Sequence, residues 1–337
     1  MLITLPNTST REVTQRLNKA REERGEVASG RVLTVVVSST AATPLESILV
    51  PVTDAAREHP ARVIILQEAD GPSDEPRLDA QIHLGGKAGA SEIIVLSLHG
   101  GLTEHEDSIV RPLLLPDTPI VVWWPGDAPR NPAADPLGVL ADRRITDVNA
   151  ETTTRSIYRR RTTYSRGDSD LGWSRITLWR ALLASTLDQP PFEPVESAEV
   201  TGPTDDAAVD LAAGWLADQL GVPVKRINSD APVPPVDAAG HETIPVQKTV
   251  LKRKGADITV AVQDAHTAEV TVGTRRSLVA LAPRDLGDCL AEELRHLDSD
   301  YAFGRALRGL VRVNRPRRSG ETVTRIVEDL ESLESQR

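Results

Sequence analysis

Residues Val32, Leu33, Thr34, Val35, Val36 and Val37 form a run in which apolar and β-branched side chains follow one another without a polar break. A strand that does not alternate is one covered on both faces, the habit of parallel sheets flanked by helices. On its N-terminal side Ser9 and Glu12 have capping-box spacing, and Val13, Leu17 and Ala20 recur at helical intervals, so a helix is predicted over 10–24. On the other side the pattern predicts a helix over about 44–58 and a strand through Val63, Ile64, Ile65 and Leu66. Further along, 81–84 reads as a short edge strand and 93–96 as a central one. Thr103 and Glu106 have the spacing of a second capping box for a helix ending at Arg111, before Pro112. Residues 120–124, ending in Trp123 and Trp124, make another buried strand.

Strand and helix alternating at this spacing predict an α/β fold with a mostly parallel, doubly wound sheet. That Rossmann-like domain is placed at 1–190, closing with a helix over about 170–187 that carries Trp173, Ile176, Trp179, Leu182 and Leu183 on one stripe. Pro190, Pro191, Pro194 and Pro203 then mark an interdomain linker at 191–204. Residues 205–337 read as a second, α+β domain. Its helix near 205–220 precedes strands near 222–227, 246–252, 257–263, 267–272 and 276–281. Helices near 284–297, 299–311 and 320–334 follow. Strands followed by helices suggest an antiparallel sheet.

Two domains suit a chain of 337 residues. With 39% hydrophobic and 26% charged residues the composition is that of a folded globular protein. Lys and Arg total 39 against 49 Asp and Glu, a net charge of −10 that disfavours nucleic acid and anionic membrane as partners. Cys289 is the single cysteine, so an internal disulfide and a thiolate zinc site are excluded. The first residues lack a basic region followed by a long apolar stretch, and no run of about 18 apolar residues occurs, so a cytoplasmic protein is expected.

Motifs for bond-making chemistry are not found. Gly85, Gly86, Lys87, Ala88 and Gly89 precede a strand instead of opening a helix, the wrong context for a phosphate cradle. No nucleophile elbow, metalloprotease helix or activated cysteine is present. Acid and base pairs also assemble from distant positions, so missing motifs do not by themselves exclude catalysis; no catalytic residue, metal ligand or cofactor is assigned.

The best candidate ligand pocket is at His99, Gly100, Gly101 and His105, where a parallel strand ends and a helix begins. The alternative there is a glycine turn beside a solvated histidine. Trp123 and Trp124 lead into a Pro-rich loop, and either present indole surface at a rim or are buried, one under each sheet face. Arg155, Arg159, Arg160, Arg161 and Arg166 form one arginine group, and Arg308, Arg312, Arg315, Arg317 and Arg318 another. The first suits an acidic protein or a sugar phosphate, and either group is otherwise a solvated face paired with local acids. Asp142 and Asp147 flank Arg143 and Arg144 in what reads as surface ion pairing, and Cys289, beside Leu286 and Leu290, reads as core.

Four segments carry a resemblance. They are Pro119 to Gly126 (Pro-Ile-Val-Val-Trp-Trp-Pro-Gly), Leu140 to Asp147 (Leu-Ala-Asp-Arg-Arg-Ile-Thr-Asp), Asp170 to Arg180 with Trp173 and Trp179, and Leu294 to Leu307. As a set they resemble the hallmark segments of actinobacterial glucose-6-phosphate dehydrogenase assembly proteins of the OpcA type. The resemblance implies a protein without a reaction of its own, which binds glucose-6-phosphate dehydrogenase, favours its active oligomer as an allosteric activator, and so feeds NADPH production in the oxidative pentose phosphate pathway. Cyanobacterial relatives are associated with thioredoxin control, which one cysteine cannot supply as an internal switch. With the resemblance in hand, the residues expected at the partner contact are Trp123, Trp124, Arg155, Arg159, Arg160, Arg161, Trp173, Arg175 and Arg180. The competing expectation is a sugar-phosphate- or nucleotide-binding enzyme or sensor built around His99.

Overall fold

A computed structural model describes residues 1–24, 32–69, 75–85, 92–153, 156–231, 243–282 and 284–315. The 32–37 run extends into strand β2 (Leu33–Ser39), in the middle of an eight-stranded sheet. Its neighbours are β3 (Ala61–Glu68) and β6 (Ile120–Trp124), both parallel to it. Beyond β3 come β5 (Glu92–His99), then β4 (Arg77–Leu84) and β1 (Leu2–Leu5), the last two antiparallel to their neighbours. Beyond β6 lie β7 (Arg143–Thr146) and β8 (Asp168–Asp170), both parallel. Reading only the parallel strands, the order is third, second, first, fourth, fifth, sixth, which is the doubly wound order of dinucleotide-binding sheets, reversing between β2 and β6.

Helices cover both faces, so the fold is α/β as the sequence predicts. Val13 and Leu17 of α1 (Thr10–Arg24), Val110 of α3 (Glu106–Val110) and Leu137 of α4 (Pro136–Leu140) pack on Val36, Ile64, Ile94 and Trp124. The opposite face, with Val35, Val37, Ile65 and Trp123, receives α2 (Leu45–Glu58) and also α9 (Leu286–Arg295) from far along the chain. Consecutive strand residues thus feed opposite cores, the outcome an uninterrupted apolar run dictates.

Some expectations change. The 81–84 segment is part of a longer strand and is not the edge, because β1 pairs outside it, with Leu2 opposite His83. The second capping box does not form: residues 100–105 make a 3₁₀ turn that starts at Gly100, φ +59°, and Thr103 bonds back to the Gly100 carbonyl. The 170–187 helix is broken at Ile176 into α6 (Leu171–Arg175) and α7 (Thr177–Leu187). Between β7 and β8 runs α5 (Ser156–Thr163).

The second sheet has seven strands in the order β14-β13-β12-β11-β9-β10-β15. Its members are β9 (Ser197–Pro203), β10 (Val224–Ser229), β11 (Lys248–Lys252), β12 (Ile258–Val262), β13 (Thr267–Val272), β14 (Arg275–Ala280) and β15 (Val313–Asn314). Strand β9 lies within the stretch read as a linker. The sheet is mixed instead of antiparallel, because α8 (Ala207–Leu220) intervenes between β9 and β10 and a helical crossover returns the chain parallel. Helices α6, α7, α8 and α10 (Tyr301–Gly309) share its core, where Trp173, Trp179, Ala212 and Phe303 meet Val200, Leu251 and Val260. The helix expected near 320–334 lies outside the described residues.

Candidate functional site

The four segments quoted above converge on the junction between the sheets. Arg143 on β7 reaches α9, where its Nε donates to Glu293 at 3.1 Å, and its Nη1 donates to the Asp298 carbonyl, past the end of α9, at 2.8 Å. Ser174 of α6 donates to the other oxygen of Glu293. Arg144 pairs with Asp168 and donates to the carbonyls of Gly138, Ala141 and Arg166. Asp147 grips Arg175 in a two-pronged pair at 2.7 and 2.8 Å. Asp170 is wholly buried and accepts from Thr146 Oγ1, the Val148 amide and the Gly172 amide at 2.6 to 3.0 Å. Burial, reinforced by the neighbouring Asp147 charge, pushes its carboxyl up to about 7.

Trp173 closes the junction. Its Nε1 donates to Asp300 at 2.7 Å, and the same Asp300 caps α10 by accepting from the Phe303 amide at 2.9 Å. The Arg180 guanidinium lies over the Trp173 ring, 3.5 Å from its centre, and its burial lowers the guanidinium to about 10. These arginines and carboxylates are therefore interior pairs between segments, not the surface pairing expected for Asp142, Arg143, Arg144 and Asp147. Asp142 itself accepts from the Ile120 amide at the start of β6.

The residues expected at the partner contact are placed as follows in the free chain. Trp123, Trp124 and Trp173 are at most 3% exposed, with Trp123 and Trp124 turned to opposite faces of the sheet, so none offers indole surface. Arg160 is buried on Glu151 and the Pro129 and Arg130 carbonyls. Arg175 and Arg180 belong to the junction. Arg159, which donates to Ser156 at 2.8 Å, and Arg161 are half-buried and keep access to solvent; Arg155 lies outside the described residues. In the second arginine group, Arg315 pairs with Asp210 at 2.8 Å and covers the Tyr158 ring, while Arg308 and Arg312 are exposed. Arg317 and Arg318 lie outside the described residues.

The sequence reading assigns no role to Asp170 and Asp300, which it quotes only within the resemblance segments, and does not single out Glu293. The available signal for Glu293 was an acid on the same helical stripe as Cys289 and Leu290, all buried. Cys289 is core as expected, and burial pushes its thiol up to about 12.

A second place is formed at the carboxyl ends of β2, β3 and β5. Here a cleft of about 410 Å³ is lined by the turn entering α2, by Gln67, Glu68 and Ala69, and by Asp79, Ser97 and His99. His99 Nε2 and Arg77 Nη2 each approach Asp79 Oδ2 at 3.0 Å. The Asn7 amide, with His99 and Arg77, holds the Asp79 carboxyl below its ordinary range. Gly100, Gly101 and His105 do not line this cleft; Gly101 and His105 are exposed on the 3₁₀ turn. Behind the turn, Ser38 donates to Glu106 at 2.9 Å, and burial pushes the Glu106 carboxyl up to about 7. Of the glycine-rich stretch at 85–89, Gly85 ends β4 with φ +62°, and 86–89 lie outside the described residues.

Two family profiles match the chain: the glucose-6-phosphate dehydrogenase subunit N-terminal domain over residues 52–162 and the C-terminal domain of the same subunit over 166–307. The chain belongs to the OpcA-type glucose-6-phosphate dehydrogenase assembly family. All four quoted segments fall within these matches, so the junction is built from family sequence. No curated protein matches the chain. Among solved structures, a 3-ketoreductase from Actinomadura kijaniata is similar at 8% identity and TM-score 0.45, over 84% of this chain and 98% of that one. A glucose-6-phosphate 1-dehydrogenase from Mycobacterium avium is similar at 10% identity and TM-score 0.35, over 85% and 94%. At such scores these likenesses carry no argument about activity. No helix among the described residues is long and apolar enough to cross a membrane.

Proposed function

We propose that this chain is a non-catalytic assembly factor of the cytoplasm that binds glucose-6-phosphate dehydrogenase and promotes its active oligomer. Family membership supports the partner and the non-catalytic reading, and one observation adds to it by arguing against dinucleotide-dependent chemistry. In a sheet of dinucleotide-binding order, a pyrophosphate is held by a glycine-rich turn between the first parallel strand and its helix. Here that turn reads Ser38, Ser39, Thr40, Ala41, Ala42, Thr43, Pro44, without a glycine. Pro44 stands at the helix cap with no N–H to offer, and Gln67 Nε2 ties down the Thr43 carbonyl at 2.8 Å. Across the reversal point, a Cβ added to Gly126 would touch Thr43 Oγ1 at 3.4 Å, so the two turns abut where phosphates would enter. Glu106 sits behind them, and its ionised form repels a pyrophosphate.

An activator must bind the active dehydrogenase more tightly than the inactive one, since equal affinity shifts nothing. A preference of about 1 to 3 kcal/mol suffices for a useful effect. The buried pairs of the junction support this role by fixing the two sheets in one orientation, which keeps any surface spanning them preorganised. Mixing the purified chain with its dehydrogenase and recording mass in solution together with turnover tests the reading. A shift to a larger complex with raised turnover is expected; turnover of glucose 6-phosphate by the chain alone, or a dehydrogenase unchanged in mass and rate, rejects it.

A further inference from the structure

The cleft beside His99 has the size of a ligand site, within the range of about 300 to 1,000 Å³ usual for small molecules, and it lies outside the junction. We infer that it binds an uncharged ligand carrying adjacent hydroxyls, a ribonucleoside or a free sugar, and that it rejects the phosphorylated forms of either.

Position is the first argument. Glu68 is the last residue of β3, the second strand in the parallel order. An acid close to that place in dinucleotide-binding sheets accepts hydrogen bonds from a ribose diol. The second is charge. Glu68 and Asp79 both line the cleft, and the nearby cation, Arg77, is already engaged by Asp79 at 3.0 Å. Among the described lining residues none is a lysine or arginine, and Arg77 and Asp79 offset each other, so a phosphate would enter against the Glu68 carboxylate with no lining lysine or arginine to offset it. The third is the chemistry of the remaining walls. Gln67 and Ser97 offer neutral polar groups for hydroxyls, while Pro44 and Leu45 give an apolar surface on which a base or a sugar face can rest. A bare metal ion is the wrong occupant, because no group of three His, Cys, Asp or Glu side chains able to hold one occurs among the described residues.

This inference does not depend on the assembly reading, and its test uses the full chain without the dehydrogenase. The isotope-labelled protein is titrated with adenosine, AMP, glucose and glucose 6-phosphate, following backbone amides at 41–43, 45, 67–69 and 97–99 by NMR and heat by calorimetry. Saturable shifts confined to those amides are expected with adenosine or with glucose, and whichever saturates identifies the source of the diol. Its phosphorylated counterpart should bind at least tenfold more weakly. Glu68→Gln, at an exposed position, should weaken binding at least tenfold with the thermal midpoint unchanged. Absence of saturation by both neutral ligands, equal or tighter binding of a phosphorylated one, or unaltered affinity in E68Q overturns the inference.

Discussion

Arg143 of the first sheet and Glu293 of helix α9 are paired across 150 residues of sequence, each with a side chain only 3% exposed. Such a pair contributes little when whole and costs much when halved, because the survivor is a buried charge without a partner. Glu293→Ala is therefore expected to lower unfolding stability by about 3–5 kcal/mol. The double replacement Arg143→Met with Glu293→Leu should lose clearly less. Urea titrations of the three proteins give the comparison, and equal losses in single and double variants would refute the pairing as the cause.

Asp170 makes stability depend on pH in an unusual direction. Its folded-state carboxyl titrates at about 7 against an ordinary 3.8, so between those values the native protein binds more protons than the unfolded chain. Stability contributed by this group therefore falls as pH rises from about 4 through 7. Asp168, Asp206 and Asp210 are also raised by burial and act in the same sense. His83, lowered by burial, acts oppositely just below its ordinary 6.5. The difference between wild type and Asp170→Asn isolates the single group: from pH 5 to 8 the variant's denaturation midpoint should decline less steeply than the wild type's. Parallel profiles would show that Asp170 does not titrate in this range.

The contrast between Val35 and Arg143 explains how much was legible in the sequence. Val35 sits in a run whose composition alone states that both faces are covered, and β2, β3, β5 and β6 were all found this way. Strand β7 reads Arg-Arg-Ile-Thr and β8 reads Asp-Ser-Asp, so charge hid them, although all seven residues are buried. Their burial is tolerated because the partners Glu293, Asp168 and Thr146 arrive from elsewhere in the chain, information that no local window contains. For the same reason local sequence left Trp123 between a rim and the core, and Arg160 between a partner contact and local pairing; in the free chain both are buried. Residue type suits an interface anchor and a core filler equally, and only the topology separates them.

That separation can be measured at Trp123. Its indole is fully buried and its Nε1 has no hydrogen-bond partner. Trp123→Phe should then cost about 1 kcal/mol, since it removes an unpaired N–H and part of a ring, whereas Trp123→Ala should cost about 3–5 kcal/mol by opening a cavity. Dehydrogenase activation by the folded Phe variant should match wild type. If Trp123→Phe folds normally yet fails to activate, the ring contacts the partner after all, and its burial in the free chain must be relieved on binding.

Glycine positions probe the packing around Arg144 without replacing a charged residue. A Cβ at Gly138 would lie 1.7 Å from the Pro132 carbonyl oxygen, and one at Gly167, where φ is +94°, would lie 2.4 Å from the Asp142 carbonyl oxygen. Both obstacles are backbone, so they cannot rotate aside, and both flank the carbonyl cage that holds the Arg144 guanidinium. Ala at either position should cost more than about 2 kcal/mol, through displaced backbone and a loosened buried cation. Gly101→Ala is the control, because a Cβ there meets nothing within 4 Å. Thermal melts of the three variants decide the matter: the first two should fall by several degrees and the third stay at the wild-type midpoint. A tolerant Gly138 would mean that the turn at 132–138 packs less closely on β7 than described, and the Arg144 cage would lose its structural rationale.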